Sequence, residues 1–327
     1  MKIALDAVGG DHFPHHPVEG AIQAANERPD LHILLAGPGK LVEEELKKQN
    51  FSGSNISVVD APDIIRMDDS PAMAVKTKTN SSIAVGLGMH AKGHCDAFIS
   101  AGNTGALLAA SAFILGRLPG VMRPTIASNF PTINGVRLMV DVGANIEVKP
   151  EMLYQFGIMG SVFAQRMLGV ENPRIGLVNV GEEEEKGDET IRKAHELLRK
   201  SPFFIGNIEG RDILSGKADV FVCDGFVGNV LLKFGESIPD ALMHIVKKVI
   251  VKRGLDREQI ELISGVLREA FAPFDYQLVG GVPFLGVNGV SLVGHGGSTP
   301  MAVKNMIFMA EKMVREKVNS TITTSLN

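Results

Sequence analysis

A short turn of small polar residues, Ser100-Ala-Gly-Asn-Thr-Gly105, has the composition of a site that binds an anion. It follows the apolar run Ala97–Ile99 and precedes an apolar helical segment, so backbone N–H groups at the helix start can point into open space. The helix dipole favours a phosphate or an oxyanion there, and the side chains of Ser100, Asn103 and Thr104 add donors. An ordinary glycine-rich turn between a strand and a helix is the alternative interpretation.

The same combination of acid, amide and glycine follows other predicted strands. Examples are Asp6-Ala-Val-Gly-Gly-Asp11, Asp141-Val-Gly-Ala-Asn145 and the segment Asp224–Lys233. Strands that alternate with helices pair in parallel, and the loops at their carboxyl ends line one crevice where ligands bind. We therefore expect these turns to meet at one site. Its predicted binding residues are Asp6, Gly9, Gly10, Asp11, Ser100, Gly102, Asn103, Thr104, Gly105, Asp141, Asn145, Glu209, Arg211, Gly225, Gly228 and Lys233.

The residues predicted to act directly in a reaction are Lys186, Asp224, Asn229 and His295. Lys186 follows a run of four glutamates, which is usually a solvated surface, but it lies beside Gly187 and close to the end of a predicted strand. His295 lies near the end of the glycine-spaced segment Gly280–Ser298. Asp6 and Asp11 suit either a magnesium ion or a hydrogen-bonding role such as a helix cap, and the sequence leaves both open.

Short apolar runs bounded by glycine, proline and polar residues predict the strands that position these turns. They lie at Ile3–Leu5, Leu31–Ala36, Ile56–Val59, Ala97–Ile99, Arg123–Ala127 and Val136–Val140, in the segments that begin at Arg174, Phe203 and Ala218, and as a strand pair in 280–298. Helices alternate with them, and a last helix at Pro300–Val318 precedes a tail that we expect to be frayed. The pattern predicts a single α/β domain of two interleaved lobes over residues 1–327.

The composition argues against several classes of protein. With 327 residues, of which 45% are hydrophobic, the chain is long enough for a large core. A net charge of −4 argues against a general nucleic-acid binder, and two cysteines, Cys95 and Cys223, argue against a disulfide framework or a thiolate zinc site. No apolar run approaches the roughly 20 residues that span a bilayer, and no signal-peptide pattern opens the sequence. We therefore expect a cytoplasmic protein.

Residues 238–274 form an amphipathic helical excursion from the predicted sheet. A helix at 238–253 carries an apolar face and a basic cluster, and a second apolar face follows at 259–271 beyond Gly254. Three interpretations are open: a hairpin packed on itself or on a dimer partner, contact with an anionic membrane surface, and docking of an acidic carrier protein. The residues predicted to contact membrane or carrier are Leu242, Ile245, Lys247, Lys248, Val249, Lys252 and Arg253.

Seven segments, in this order, resemble the bacterial PlsX phosphate acyltransferase family over essentially the whole chain. They are Asp6–Asp11, Ser100–Ala106, Asp141–Asn145, Asn179–Gly187, Asn207–Asp212, Cys223–Lys233 and Gly294–Ser298. Val8 stands where Met is expected in many relatives, which is an apolar exchange. The resemblance implies a three-layer α/β/α fold with a mostly parallel mixed sheet, like that of the isocitrate and isopropylmalate dehydrogenases, and a homodimer.

The resemblance also implies an activity. A fatty acyl group would pass from an acyl carrier protein thioester to inorganic phosphate, and the acyl phosphate would serve a downstream glycerol-3-phosphate acyltransferase in phospholipid synthesis. The protein would contact the cytoplasmic membrane peripherally. Neither a cofactor nor a metal ion would be required.

Direct attack by phosphate agrees with the residues, because neither a Gly-x-Ser-x-Gly elbow nor a convincing Cys–His pair supplies a nucleophile. We predict that Lys186 and the 100–105 turn hold phosphate, and that Asn229 or His295 donates to the thioester oxyanion. Asp224 would orient Lys186 or accept a phosphate proton. The alternatives are a phosphotransacetylase-like enzyme that uses acyl coenzyme A, a dehydrogenase of the related fold and a non-enzymatic membrane scaffold.

Overall fold

A computed structural model describes residues 1–274, 277 and 280–326. Within these residues eleven strands form one sheet. The strands are β1 (Lys2–Asp6), β2 (His32–Gly37), β3 (Ile56–Asp60), β4 (Ala97–Ser100), β5 (Thr125–Thr132), β6 (Gly135–Val140), β7 (Ile175–Val178), β8 (Phe204–Ile208), β9 (Val220–Val222), β10 (Val282–Leu285) and β11 (Val290–Val293). Their order across the sheet is β3-β2-β1-β4-β11-β10-β5-β6-β9-β7-β8.

Helices cover both faces of this sheet. They are α1 (His15–Glu27), α2 (Gly39–Lys48), α3 (Pro71–Thr77), α4 (Ser82–Ala91), α5 (Thr104–Ala110, continued by a π turn at Ser111–Leu115), α6 (Pro150–Leu168), α7 (Glu189–Leu198), α8 (Gly210–Ser215), α9 (Gly225–Arg253), α10 (Arg257–Phe271), α11 (Pro300–Arg315) and α12 (Val318–Leu326). A 3₁₀ turn at Ala272–Phe274 follows α10.

Alternation along the strands creates a core on each face. In β1, Ile3 and Leu5 pack into a first core with α1, α6, α7, α11 and α12, whereas Ala4 packs into a second core with α4, α5 and α8. The apolar residues of the first half of α9 contact this second core as well. The predicted three-layer α/β/α fold with a mostly parallel mixed sheet is therefore confirmed.

The two halves of the sheet run in opposite directions. Strands β1 to β4 and β11 are parallel, β10 is antiparallel to both β11 and β5, and β6 is antiparallel to β5. Strands β9, β7 and β8 run parallel to β6. The carboxyl ends of β1 and β4 thus lie at the opposite edge from those of β6, β7, β8 and β9. The turns after β1, β4, β6 and β9 nevertheless meet as predicted, because Asp11, Thr104, Val142 and Asn229 line one cleft.

The carboxyl-terminal tail is ordered as helix α12. Val318 and Ile322 lie four residues apart on one face of this helix, and both are fully buried in the first core. The prediction of a frayed tail was based on its serine and threonine content and is wrong, because two apolar side chains at helical spacing are enough to pack it.

Helix α9 is longer than predicted. It spans 29 residues with Pro239 inside, so the helix expected from residue 238 is its second half, and it ends at Gly254 as predicted. Helix α10 begins at Arg257 with a capping box between Asp256 and Gln259. Among the helices of the described residues, none has the length and apolar character that crossing a membrane requires.

Candidate active site

A cleft of about 440 Å³ opens on the face of the sheet that carries the second core. We call it the central cleft. Helix α9, strand β5, the start of α5 and the loops after β1 and β11 all contribute to its walls. Five of the predicted site residues line it together, namely Asp11, Thr104, Asn229, Lys233 and His295.

Helix α9 brings two of these side chains into the central cleft. Asn229 and Lys233 are four residues apart and therefore lie on the same face of the helix. The helix start is fixed by Asp224, whose Oδ1 accepts hydrogen bonds from the N–H groups of Phe226 (2.8 Å) and Val227 (2.9 Å). Asp224 therefore acts as the helix cap, and it is outside the lining of the cleft.

Gly228 allows α9 to lie directly on the loop after β6. A Cβ atom at this position would fall 1.9 Å from the carbonyl oxygen of Asp141, a distance that no side chain can tolerate. The glycines predicted as binding residues thus have a packing role here. Gly225 has the same role, since its Cβ would fall 2.9 Å from the carbonyl oxygen of Asn145.

The loop after β6 is held by the buried Asp141. Its carboxylate accepts hydrogen bonds from the N–H groups of Ile126 (3.1 Å) and Ala144 (3.2 Å) and from the backbone N–H (2.6 Å) and side-chain amide (2.9 Å) of Asn145. The Asn145 amide also donates to the carbonyl of Pro124. The side chains of Asp141 and Asn145 are therefore used in hydrogen bonds within the protein. They fix the loop on which α9 packs.

The loops after β1 and β4 are joined by a buried polar pair. The Ser100 hydroxyl donates to Asp6 Oδ2 at 2.7 Å and accepts from the N–H of Gly102 at 3.0 Å. The loops approach so closely that a Cβ on Gly9 would fall 2.7 Å from Asp6 Oδ2. The hydrogen bond between Asp6 and Ser100 therefore holds the two loops together. Gly10, Gly102 and Gly105 lie where these loops pack closely, with little room for a side chain.

Asn103 is also turned away from the central cleft. Its Oδ1 accepts from the N–H of Ala106 at 3.0 Å and caps α5, while its amide donates to the carbonyls of Arg66, Met67 and Asp69. Thr104 is the residue of this turn that is exposed and lines the cleft. The predicted anion-binding turn therefore presents one side-chain hydroxyl to the site.

The loop after β11 forms the opposite wall. The N–H of Gly297 donates to His295 Nδ1 at 3.1 Å, so this nitrogen is the acceptor and the ring proton lies on Nε2. The Ser298 hydroxyl donates to the His295 carbonyl at 2.6 Å. The N–H of Asp11 donates to the carbonyl of Gly296 at 2.8 Å, which joins the acid and the histidine on neighbouring loops.

Lys186 lies far from the Ser100 turn within one chain. Six strand spacings of about 4.8 Å separate β4 from β7, or about 29 Å across the sheet, and the two strands end at opposite edges. Lys186 is outside the lining of the central cleft, and the lysine in the cleft is Lys233, so contact between Lys186 and the phosphate held by that turn stays a prediction. Glu209 and Arg211 form a 2.6 Å ion pair after β8, at the same edge as Lys186.

Burial governs the titration of the internal acids and thiols. It raises the pKa of Asp6 above its ordinary value, with hydrogen bonds from Ser100, Ser82 and Val8 opposing the shift, and it raises the pKa of Asp141. Burial also raises the pKa of the Cys95 thiol to about 11 and that of Cys223 well above its ordinary value. Both thiols are free and protonated at neutral pH, and neither can serve as a nucleophile.

The apolar wall of the central cleft was missed by sequence reasoning. It includes Ile126, Phe130, Leu232, Phe274 and Val282. Strand β5 was predicted to end at Ala127, but it continues to Thr132, and Ser128, Asn129 and Phe130 all line the cleft. The signal available in the sequence was the polar pair Ser128 and Asn129 between Ala127 and Phe130.

The whole sequence was compared with known proteins. Residues 1–321 match the family described as "Fatty acid synthesis protein". The chain belongs to this fatty acid synthesis protein family. This chain is similar to the "Phosphate acyltransferase" of Chlorobaculum parvum. The two are 46% identical over 338 aligned residues, which cover 100% of this chain and 99% of the relative. The protein of the same name from Salinibacter ruber is 47% identical and covers 97% and 95% of the two chains.

Solved structures share the fold of this family member. A phosphotransacetylase from Streptococcus pyogenes superposes with a TM-score of 0.64 at 14% identity, covering 97% of this chain and 94% of the other. The EutD phosphotransacetylase from Staphylococcus aureus gives 0.61 at 15% identity, covering 96% and 94%. At these identities the likeness establishes the fold alone.

Proposed function

We propose that this protein is a phosphate acyltransferase that moves a fatty acyl group from an acyl carrier protein thioester to inorganic phosphate. The name carried by full-length relatives at 46% and 47% identity supports the reaction. The observation that carries the proposal is the central cleft, where polar groups and an apolar wall face the same space. The polar groups suit phosphate, and the apolar wall suits a fatty acyl thioester.

The cleft supplies a cradle for the phosphate nucleophile. The Lys233 ammonium, the Asn229 amide and the Thr104 hydroxyl are donors on two facing elements, and together they hold the phosphate anion. Fixing phosphate beside the thioester removes much of the entropic cost of a bimolecular attack. Lys233 thereby takes the role that the sequence suggested for Lys186.

The reaction needs one bond made, one bond broken and one proton relayed. A phosphate oxygen attacks the thioester carbon, the carbon–sulfur bond breaks, and acyl phosphate and the carrier thiol are the products. The His295 Nε2–H donates to the oxyanion of the tetrahedral intermediate. The Asp11 carboxylate, on the neighbouring loop, accepts the phosphate proton and passes it to the departing sulfur.

The deciding experiment incubates the purified protein with palmitoyl-acyl carrier protein and inorganic phosphate, and follows free carrier thiol and acyl phosphate. Acyl phosphate that forms only when both substrates are present supports the proposal. Turnover with palmitoyl-coenzyme A but not with the carrier protein would transfer the chain to the coenzyme A enzymes. Absence of turnover with both would refute an acyltransferase function.

The second half of α9 and helix α10 support a peripheral role at a membrane. Ile245 and Val249 on α9 are 57% and 45% exposed, and Leu262 and Val266 on α10 are 70% and 58% exposed. With the basic Lys247, Lys248, Lys252 and Arg253 beside them, these side chains suit an anionic membrane surface. A homodimer that covers part of this face is compatible with the same exposure. Acyl phosphate released at the membrane would be available to an acyl-phosphate-using glycerol-3-phosphate acyltransferase.

A further inference from the structure

A second cavity of about 290 Å³ lies behind the central cleft, and we call it the back cavity. Its walls include Phe163 and Met167 from α6 and Phe308 and Met309 from α11, which pack with the first core. The central cleft is bordered by Ile126 and other residues of the second core. The two cavities therefore lie on opposite faces of the same sheet.

Asn129 of β5 borders both cavities. Side chains alternate along this strand: Ile126 and Phe130 belong to the second core and Ala127 to the first. The Asn129 side chain consequently points towards the back cavity, while Ser128 and Phe130 face the central cleft. The residue marks the place where the two spaces are separated by the thickness of one strand.

Strand β5 reaches Asn129 beyond its last pair with β10, while it stays paired there with β6 through Leu138. Among the described residues, strand β10 pairs with β5 only through Phe284 with Ile126 and Leu285 with Thr125, whereas β5 continues to Thr132. Beyond Ile126 this edge of β5 therefore separates from β10. The buried Asn129 Oδ1 accepts no hydrogen bond from the described residues, so displacing this oxygen breaks no hydrogen bond.

The walls of the back cavity are held together at one end. The Lys312 ammonium on α11 donates to the Met167 carbonyl at the end of α6, at 2.7 Å. This contact joins the two helices at one end, and the space beside it is lined mainly by apolar side chains. Such a space suits an alkyl chain, whereas a charged or polar ligand would leave most of its groups unpaired.

We propose that the alkyl chain of a long acyl substrate passes from the central cleft, beside Asn129, into the back cavity. This inference rests on the proposed acyl transfer and names the part of the chain that sets acyl-length preference. Each methylene that leaves water on entering the back cavity raises kcat/KM by about fourfold, the equivalent of about 0.8 kcal/mol. Met309, at the cavity wall, is the specificity-determining residue to test.

The test is a Met309→Trp variant assayed with octanoyl- and palmitoyl-acyl carrier protein. The larger side chain fills the back cavity, so kcat/KM for palmitoyl should fall by about tenfold or more while that for octanoyl stays close to wild type. Met301→Trp is the matched control, because this methionine lies on the same helix, is 41% exposed and is outside both linings. The control should retain the wild-type ratio.

Each outcome decides the inference. An unchanged palmitoyl-to-octanoyl ratio in a folded Met309→Trp variant overturns the back cavity but leaves acyl transfer intact, whereas no acyl phosphate from wild type with either substrate refutes the proposed function. If the melting temperature shows that Met309→Trp is misfolded, Phe308→Ala decides instead. That variant enlarges the cavity and should shift the optimum to chains longer than palmitoyl, and an unmoved optimum overturns the inference.

Discussion

Ser100 donates a hydrogen bond to Asp6 across 2.7 Å, although the two residues are 94 positions apart in the chain. The bond is buried, and it joins the loops after β1 and β4 from inside. Because the same hydroxyl accepts from Gly102, it sets the path of the backbone that leads to Thr104 at the central cleft. The first two predictions concern this pair.

Replacing Ser100 by alanine should lower the free energy of unfolding by roughly 1–3 kcal/mol. The substitution leaves a buried Asp6 oxygen without its donor and the Gly102 N–H without its acceptor, and unpaired buried groups cost about this much. Urea unfolding measures the change. Ser111→Ala is the control, because within the described residues its hydroxyl makes a single hydrogen bond, to that of Ser291, and a loss at Ser100 no larger than the loss at Ser111 would contradict the role of the pair.

Asp6 should make stability fall as pH rises above the ordinary carboxyl range. Burial raises its pKa in the folded state above 3.8, so the folded protein binds this proton more tightly than the unfolded chain. The resulting stabilisation is complete below pH 3.8 and is lost as pH rises through the folded-state pKa. Urea unfolding of wild type and Asp6→Asn between pH 4 and 7 should show wild type losing stability relative to the variant, by about 1.4 kcal/mol per pH unit at most. A relative gain of wild type with rising pH would contradict the shift.

Gly228→Ala should destabilise the protein strongly and lower the rate of acyl transfer to phosphate. The new Cβ would fall 1.9 Å from the Asp141 carbonyl, so α9 must move and carry Asn229 and Lys233 with it. Gly265→Ala on α10 is the matched control, since nothing lies within 4 Å of its Cβ. The control should gain up to about 1 kcal/mol from helix propensity. Thermal melting and the rate at saturating acyl thioester measure both effects, and equal behaviour of the two variants would contradict the packing of α9.

The choice between two lysines tests the phosphate cradle. Lys233→Met should lower kcat/KM for phosphate by about 100-fold, because the variant loses a charged donor to the nucleophile. Lys186→Met removes the same charge at the other edge of the sheet and should leave kcat/KM within about threefold of wild type. Initial rates at increasing phosphate concentration separate the two. A large loss at Lys186 and a small one at Lys233 would restore the assignment made from the sequence.

Strand positions were predictable because each strand is a short apolar run bounded by turn residues. Strand directions were not, since direction depends on which strands are joined by helices and which by tight turns. Strands β5 and β6 are joined by two residues, Ile133 and Asn134, and this hairpin reverses the second half of the sheet. The reversal sends Lys186 and Glu209 to the end of the sheet opposite Asp6 and Ser100, whereas Val142, next to Asp141, still lines the central cleft.

Residue types were predicted better than their roles. Asp6, Asn103, Asp141 and Asp224 occur in motifs that resemble binding turns, but each side chain is occupied by backbone N–H groups or by another side chain. The sequence cannot reveal this, because a helix cap and a ligand-binding turn use the same amino acids. Lys233 and His295, in contrast, both line the cleft. Their positions depend on how α9 and the loop after β11 pack, which the sequence does not show.

The last prediction concerns the exposed apolar face of α9 and α10. The double variant Ile245→Glu with Val249→Glu places two acids on a face that is apolar and flanked by basic residues, so binding to anionic phospholipid vesicles should weaken by about tenfold or more. Glu258→Asp on α10 keeps the charge and is the control, and it should bind vesicles as wild type does. Cosedimentation with phosphatidylglycerol vesicles measures binding, and light scattering after gel filtration measures the oligomeric state.

If the double variant becomes a smaller species in solution but still binds vesicles, the face is a subunit interface and the membrane contact lies elsewhere. Loss of vesicle binding with an unchanged oligomeric state assigns the face to lipid, because an apolar surface that another subunit covers could not insert into a bilayer.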